Sequence, residues 1–195
     1  MLFVVKNSGV DMNVIETALP GVLIIEPKVF GDARGFFMES FHKLRYEEAG
    51  IPGKGMEFVQ DNHSRSRHGV LRGLHFQLEN PQGKLISAGT GRIFDVAADV
   101  NPDSPTFCQW VGVELSDENH RQFWVPPGYA HGFCVLSEVA DFQYMCTALY
   151  DPASEGGVIW NDPDLDIKWP VENPILSEKD IALPILAEAK RDRLP

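Results

Sequence analysis

A chain of 195 residues with 44% hydrophobic content is long enough for one domain with a sizeable core, burying about 70% of the surface that the unfolded chain would expose. Its formal charge of −11 argues against a general nucleic-acid surface, which needs a contiguous basic face, but still allows an anionic small molecule held by a few cations converging in a pocket. Three cysteines (Cys108, Cys134 and Cys146) without a CxxC pair indicate neither a disulfide framework nor a zinc knuckle; with no apolar run of spanning length and no secretory-type leader in Met1 to Met12, a cytoplasmic protein that does not enter membranes is expected.

The prefix 1–12 is read as an extension with three open roles: an edge strand used in dimer contact, a disordered tail, or residues ahead of a start at Met12. Residues 13–195 show no repeat or composition break and are read as one domain. Short apolar runs punctuated by Gly, Pro, Asn and Asp predict strands at Val22 to Ile25, Phe58 to Gln60, Leu85 to Ala88 and Trp110 to Leu115. Arg92 to Val100 is apolar but β-branched and aromatic, with glycines before it and Asn-Pro after it, so it too reads as strand. Helix is expected at His42 to Ala49, closed by Gly50 at C′, and near the C-terminus, where Ser177 and Asp180 have capping-box spacing and Pro184 limits the run. Many short strands without βαβ alternation predict an all-β jelly-roll sandwich or barrel with a few short peripheral helices.

The string GVLRGLHFQ (69–77) places Arg72 and His75 three positions apart around Gly73. Strict alternation would send the two side chains to opposite faces, whereas a bulge at Gly73 would let both enter one cavity. In WVPPGYAHGF (124–133) a Pro-Pro-Gly turn between apolar strands holds His131 at a strand entrance. The PxGxxH pattern there is the second signature of the cupin superfamily. The first signature normally offers HxH and a later glutamate to a metal, but Gly73 stands where the first histidine would be, so a three-ligand metal site is not expected.

These strings, with FGDARGFFMESF (30–41), FVQDNHS (58–64), QGKL (82–85), SPTF (104–107), FQYMC (142–146), WNDP (160–163) and LSEKD (176–180), resemble the dTDP-4-dehydrorhamnose 3,5-epimerase family from about Asn13 to Leu186. The resemblance implies a cupin-type fold, a dTDP-4-keto-6-deoxyhexose substrate, no cofactor and a homodimer. It implies that His75 accepts protons with Asp180 as its oriented partner, that Tyr144 donates them, and that Lys84 stabilises the enolate charge at C4. His131 and Arg72 join the ligand-binding set. Arg34 would reach the diphosphate from the neighbouring subunit, with Phe37, Glu39, Gln60 and Asn62 around base and sugar, and Glu155 and Lys179 as further ligand contacts.

The chemistry is coherent. A carboxylate on one ring nitrogen fixes the imidazole tautomer and frees the other nitrogen to take a proton, while an inversion needs a donor on the opposite face of the sugar. Spacing alone leaves Asp180 as either a helix cap or a histidine partner, with Asp95 and Asp99 as rival partners. It leaves Tyr144 as either a donor or a core residue with its hydroxyl at the rim, and Lys84 as either an enolate stabiliser or a solvated edge charge. Tyr129 and Tyr150 carry no assigned role.

Overall fold

The computed structural model describes residues 4–5, 12–189 and 194–195. In chain order the strands are β1 (Val4–Val5), β2 (Met12–Glu16), β3 (Leu23–Pro27), β4 (Val29–Asp32), β5 (Gly35–Met38), β6 (Gln60–Arg67), β7 (Leu71–Gln77), β8 (Lys84–Thr90), β9 (Arg92–Ala98), β10 (Trp110–Ser116), β11 (Gln122–Val125), β12 (Ala130–Val135), β13 (Val139–Cys146) and β14 (Glu155–Gly157). Two short helices, α1 (Lys43–Glu48) and α2 (Glu178–Ile181), and a 3-10 turn at Leu186–Glu188 complete the described elements. No helix among the described residues is long and apolar enough to cross a membrane.

The strands form a seven-stranded sheet, β1-β2-β3-β11-β8-β13-β6, and a five-stranded sheet, β10-β9-β12-β7-β14, with β4-β5 as a separate hairpin. Every strand pair is antiparallel, as the all-β jelly-roll expectation requires. Apolar residues alternate into the space between the two sheets, where Ile86, Phe123 and Phe142 of one meet Ile93, Ala97, Phe133 and Val135 of the other. A second cluster, including Leu74, Phe76, Val96, Val158, Leu165 and Ile167, covers the back of the smaller sheet with C-terminal segments. A third joins Tyr46 of α1 to Ile25, Leu85 and Trp124 on the back of the larger sheet.

Several boundaries differ from expectation for identifiable reasons. Of the expected strand Phe58 to Gln60, only Gln60 is in one: Phe58 instead stands edge-on to Phe41 and Trp124, and β6 continues through the polar run QDNHSRSR. The Arg92 run leaves the sheet after Ala98, where the Asp99 carboxylate takes the hydroxyls of Ser104 and Thr106 at 2.5 and 2.6 Å. Helix α1 ends as expected, with Gly50 at φ +79° just past its cap, a conformation that glycine adopts without a Cβ clash. Of the prefix, Val4–Val5 pairs antiparallel with β2, and residues 1–3 and 6–11 lie outside the described residues.

Candidate active site

A cavity of about 320 Å³ opens between the two sheets and is lined by Asn62, Arg72, His75, Lys84, His131 and Tyr144, with Phe133 and Phe142 as an apolar wall. Arg72 and His75 come from β7 and His131 from β12 in the smaller sheet, while Asn62, Lys84 and Tyr144 come from β6, β8 and β13 in the larger one. Arg72 and His75 reach the same space because the β7/β12 register shifts between His131 and Phe133. Gly73 is at φ +120°, and a Cβ there would come within 2.6 Å of the Gly132 Cα, so the two strands approach more closely than any side chain would permit.

His75 Nε2 lies 2.7 Å from Asp180 Oδ1. The carboxylate is nearly buried, at 4% side-chain exposure. It also accepts the Gly73 N–H at 3.3 Å on Oδ1 and the Ser177 hydroxyl at 2.6 Å on Oδ2. Burial alone would raise its pKa, but the donors from His75, Ser177 and Gly73 outweigh burial and hold it at about 2. An ionised carboxylate can only accept, so His75 Nε2 carries the ring proton and Nδ1 is left free to take one. Of the two readings of Asp180, its carboxylate is the histidine partner and not the cap: Ser177 caps α2 by accepting the Asp180 N–H at 3.1 Å, while the Asp180 side chain turns to His75.

The rival carboxylates are engaged elsewhere. Asp95 pairs with His131 Nε2 at 2.8 Å, both groups being buried, and its second oxygen has no hydrogen-bond partner. Burial pushes the Asp95 acid up and the His131 imidazole down, each opposed by the other's proximity. Asp99 holds the loop that follows β9, as described above.

Tyr144 stands on the facing wall, paired across strands with Asn62 and Ile86, and tilts against Phe142 with ring centroids 5.1 Å apart. Burial pushes its phenol up to about 12, so the hydroxyl keeps its proton throughout the neutral range. Lys84, at the start of β8, is drawn below its ordinary value by burial, against the opposing pull of Cys146, Asp95 and Glu155. It therefore stands in the cavity wall and is not a solvated edge charge. Arg72 is steadied by the Ser66 hydroxyl at 3.1 Å.

Gln60, Glu155 and Lys179 are gathered by Tyr150, which the sequence had not singled out. Its N–H donates to Gln60 Oε1 at 2.8 Å and its hydroxyl to Glu155 Oε2 at 2.6 Å, while Lys179 Nζ reaches the same oxygen at 2.5 Å. Glu155 lies beside the cavity because its neighbour on β14, Gly157, pairs directly with His75. Arg34, Phe37 and Glu39 do not join this cavity within the chain. Arg34 is tied to Asp32 in the β4-β5 hairpin, Glu39 is bound by Arg45, and Phe37 is 66% exposed. Among the described residues, no three His, Cys, Asp or Glu side chains converge as a metal-holding group.

A jelly roll whose cavity carries an imidazole on one sheet and a protonated phenol on the other, with lysine and arginine in its walls, is a cupin-type fold with acid–base groups gathered around one chamber. A family model described as dTDP-4-dehydrorhamnose 3,5-epimerase matches residues 16–188. An enzyme of that name from Shigella flexneri is 59% identical over 171 residues, 87% of this chain and 93% of its own. The crystal structure of dTDP-6-deoxy-D-glucose-3,5-epimerase from Legionella pneumophila Philadelphia 1, in complex with dTDP-4-keto-L-rhamnose, has a TM-score of 0.90 and 55% identity, covering 94% of this chain and 97% of that one. A dTDP-4-dehydrorhamnose 3-epimerase from Streptomyces niveus is 39% identical over 173 residues, 88% of this chain and 83% of its own. The chain belongs to the dTDP-4-dehydrorhamnose 3,5-epimerase family.

Proposed function

We propose that the protein converts dTDP-4-keto-6-deoxy-D-glucose to dTDP-4-keto-L-rhamnose by proton exchange at C3 and C5. The observation that carries this reading is the placement of His75 and Tyr144 on different sheets around one cavity. The C4 ketone acidifies both neighbouring C–H bonds. His75 Nδ1 takes the proton, the C–H electron pair moves toward the C4 oxygen, and Lys84, with Arg72 and His131 nearby, stabilises the resulting enolate charge. Tyr144 then returns a proton to the opposite face, which inverts the carbon. Substrate and product are stereoisomers, so the conversion involves no net oxidation.

The exposed hairpin fits a homodimer in which Arg34 crosses to the partner's cavity. Its planar fork suits a diphosphate, and the Phe37 ring offers an aromatic face for thymine. In this assembly Glu39, Gln60 and Asn62 serve the base and sugar, and Glu155 and Lys179 serve further ligand contacts. The unpaired cysteines among the described residues suit a reducing cytoplasm.

Turnover in deuterated water tests the reaction. Label is expected at both C3 and C5 of the product, with L-rhamno stereochemistry read by coupling to a 4-keto reductase. Label at one carbon only would replace this reading with a single-site epimerase, the activity named for the Streptomyces niveus relative.

A further inference from the structure

The Asp180 carboxylate is the only group contacting His75 Nε2 among the hydrogen bonds described above, so whatever fixes that carboxylate also fixes the imidazole. Its Oδ1 is shared between His75 and the Gly73 N–H, and its Oδ2 is taken by the Ser177 hydroxyl at 2.6 Å. Without that last bond the carboxylate would be held through Oδ1 alone, and nothing among these hydrogen bonds would fix its plane. The segment leading into α2 is tied to the start of β7 by the bridge between Val70 and Ile175, made of the Ile175 N–H to the Gly69 carbonyl at 2.7 Å and the Leu71 N–H to the Ile175 carbonyl at 3.0 Å.

We infer that Ser177 is a positioning residue for the reaction: its hydroxyl locks the carboxylate plane of Asp180 and thereby the ring tautomer and orientation of His75. The serine acts in two directions at once. It accepts the Asp180 N–H, which is ordinary helix capping, and it donates its own proton to the Asp180 side chain, which a cap does not require. The second bond is the one relevant to proton transfer, and it gives a hydroxyl–carboxylate–imidazole series running from α2 into the cavity wall. This inference rests on the reading of His75 as the base.

Three variants separate the two bonds. Glycine is nearly as good a helix cap as serine but has no hydroxyl, alanine lacks both properties, and threonine keeps both. Ser177→Gly and Ser177→Ala are each expected to lower kcat by about tenfold with KM little changed, because a small misorientation of the base affects the transition state more than binding. Ser177→Thr should restore the rate. In the same variants without substrate, the His75 ring ¹⁵N shifts should move from one tautomer toward a mixture, and return in Ser177→Thr. Wild-type kcat and wild-type ring shifts in a folded Ser177→Gly protein would overturn the inference and leave Ser177 as a cap alone. The ring shifts need no turnover. If the wild-type protein fails to exchange substrate protons, the reaction reading falls while the shifts still decide whether Ser177 orders the ring.

Discussion

Two histidine–carboxylate pairs meet in one cavity, and their histidines are direct partners across the β7/β12 ladder, yet the pairs are built differently. In His75–Asp180 the carboxylate comes from a short C-terminal helix and is met by three donors. In His131–Asp95 both groups come from adjacent strands, both are buried, and one carboxylate oxygen has no partner. The first environment holds its acid at about 2, and the second pushes its acid up through burial. The same two residue types thus give a firmly ionised partner in one place and a reluctant one in the other: burial prevails at Asp95, whereas the larger set of hydrogen-bond donors overcomes it at Asp180. Only the first pair leaves an imidazole half open to the cavity, at 26% side-chain exposure against 7% for His131.

The sharpest way to break this contrast is to remove each histidine in turn. His75→Asn should cut turnover by at least about a hundredfold and abolish deuterium entry, since a general base contributes ~10²–10⁴. His131→Asn should slow the reaction but still admit label. Equal loss of label in both would erase the distinction between the base and a histidine that only supports the charge.

Tyr144→Phe should reduce epimerisation by about a hundredfold while exchange of the first proton at C5 falls less, because the variant lacks the donor and not the base. With the phenol at about 12, the wild-type rate should show no alkaline limb from Tyr144 below about pH 11. A limb near pH 8 that vanishes in Tyr144→Phe would contradict the environment described for this residue.

The smallest effects concern stability. Asp180→Asn turns an amide toward at least one of three donors and should destabilise by about 1–3 kcal/mol, whereas Asp95→Asn keeps an acceptor for His131, removes a poorly solvated charge and should change stability by less than about 1 kcal/mol. Denaturant midpoints would show the order, and a reversed order would mean the donor count does not govern the pairs. The pH dependence has opposite signs. Asp180, lowered from its ordinary 3.8 to about 2, contributes stability that is complete above about pH 4 and lost as pH falls through 2. Asp95, raised by burial, binds its proton more readily in the folded state, so acidification favours folding at that site.

Much of the barrel was legible because β8, β9 and β10 are apolar and β-branched between turn residues. Strand β6 was not legible beyond Gln60, since QDNHSRSR is polar throughout: Asn62, His63 and Ser64 line the cavity, and His63 and Arg65 also reach Asp141. The β4-β5 hairpin was not among the predicted strands, because its phenylalanines are exposed and give no buried periodicity. At the site, the glycine between Arg72 and His75 signalled the bulge that brings them together. Spacing could not assign Asp95 to His131 or Ser177 to Asp180, because those contacts span 36 residues in one case and depend on a side-chain rotamer in the other. Tyr150 was missed for a related reason: its partners Gln60 and Glu155 come from strands on different sheets.

The His75–Asp180 contact joins residues 105 positions apart, and every described strand is complete by Gly157. On the ribosome, the barrel's strands are therefore all synthesised before the carboxylate that orients the imidazole. A chain ending before α2 would contain every strand that lines the cavity, yet lack both the Asp180 partner of His75 and the Leu186 that packs on the back of the smaller sheet.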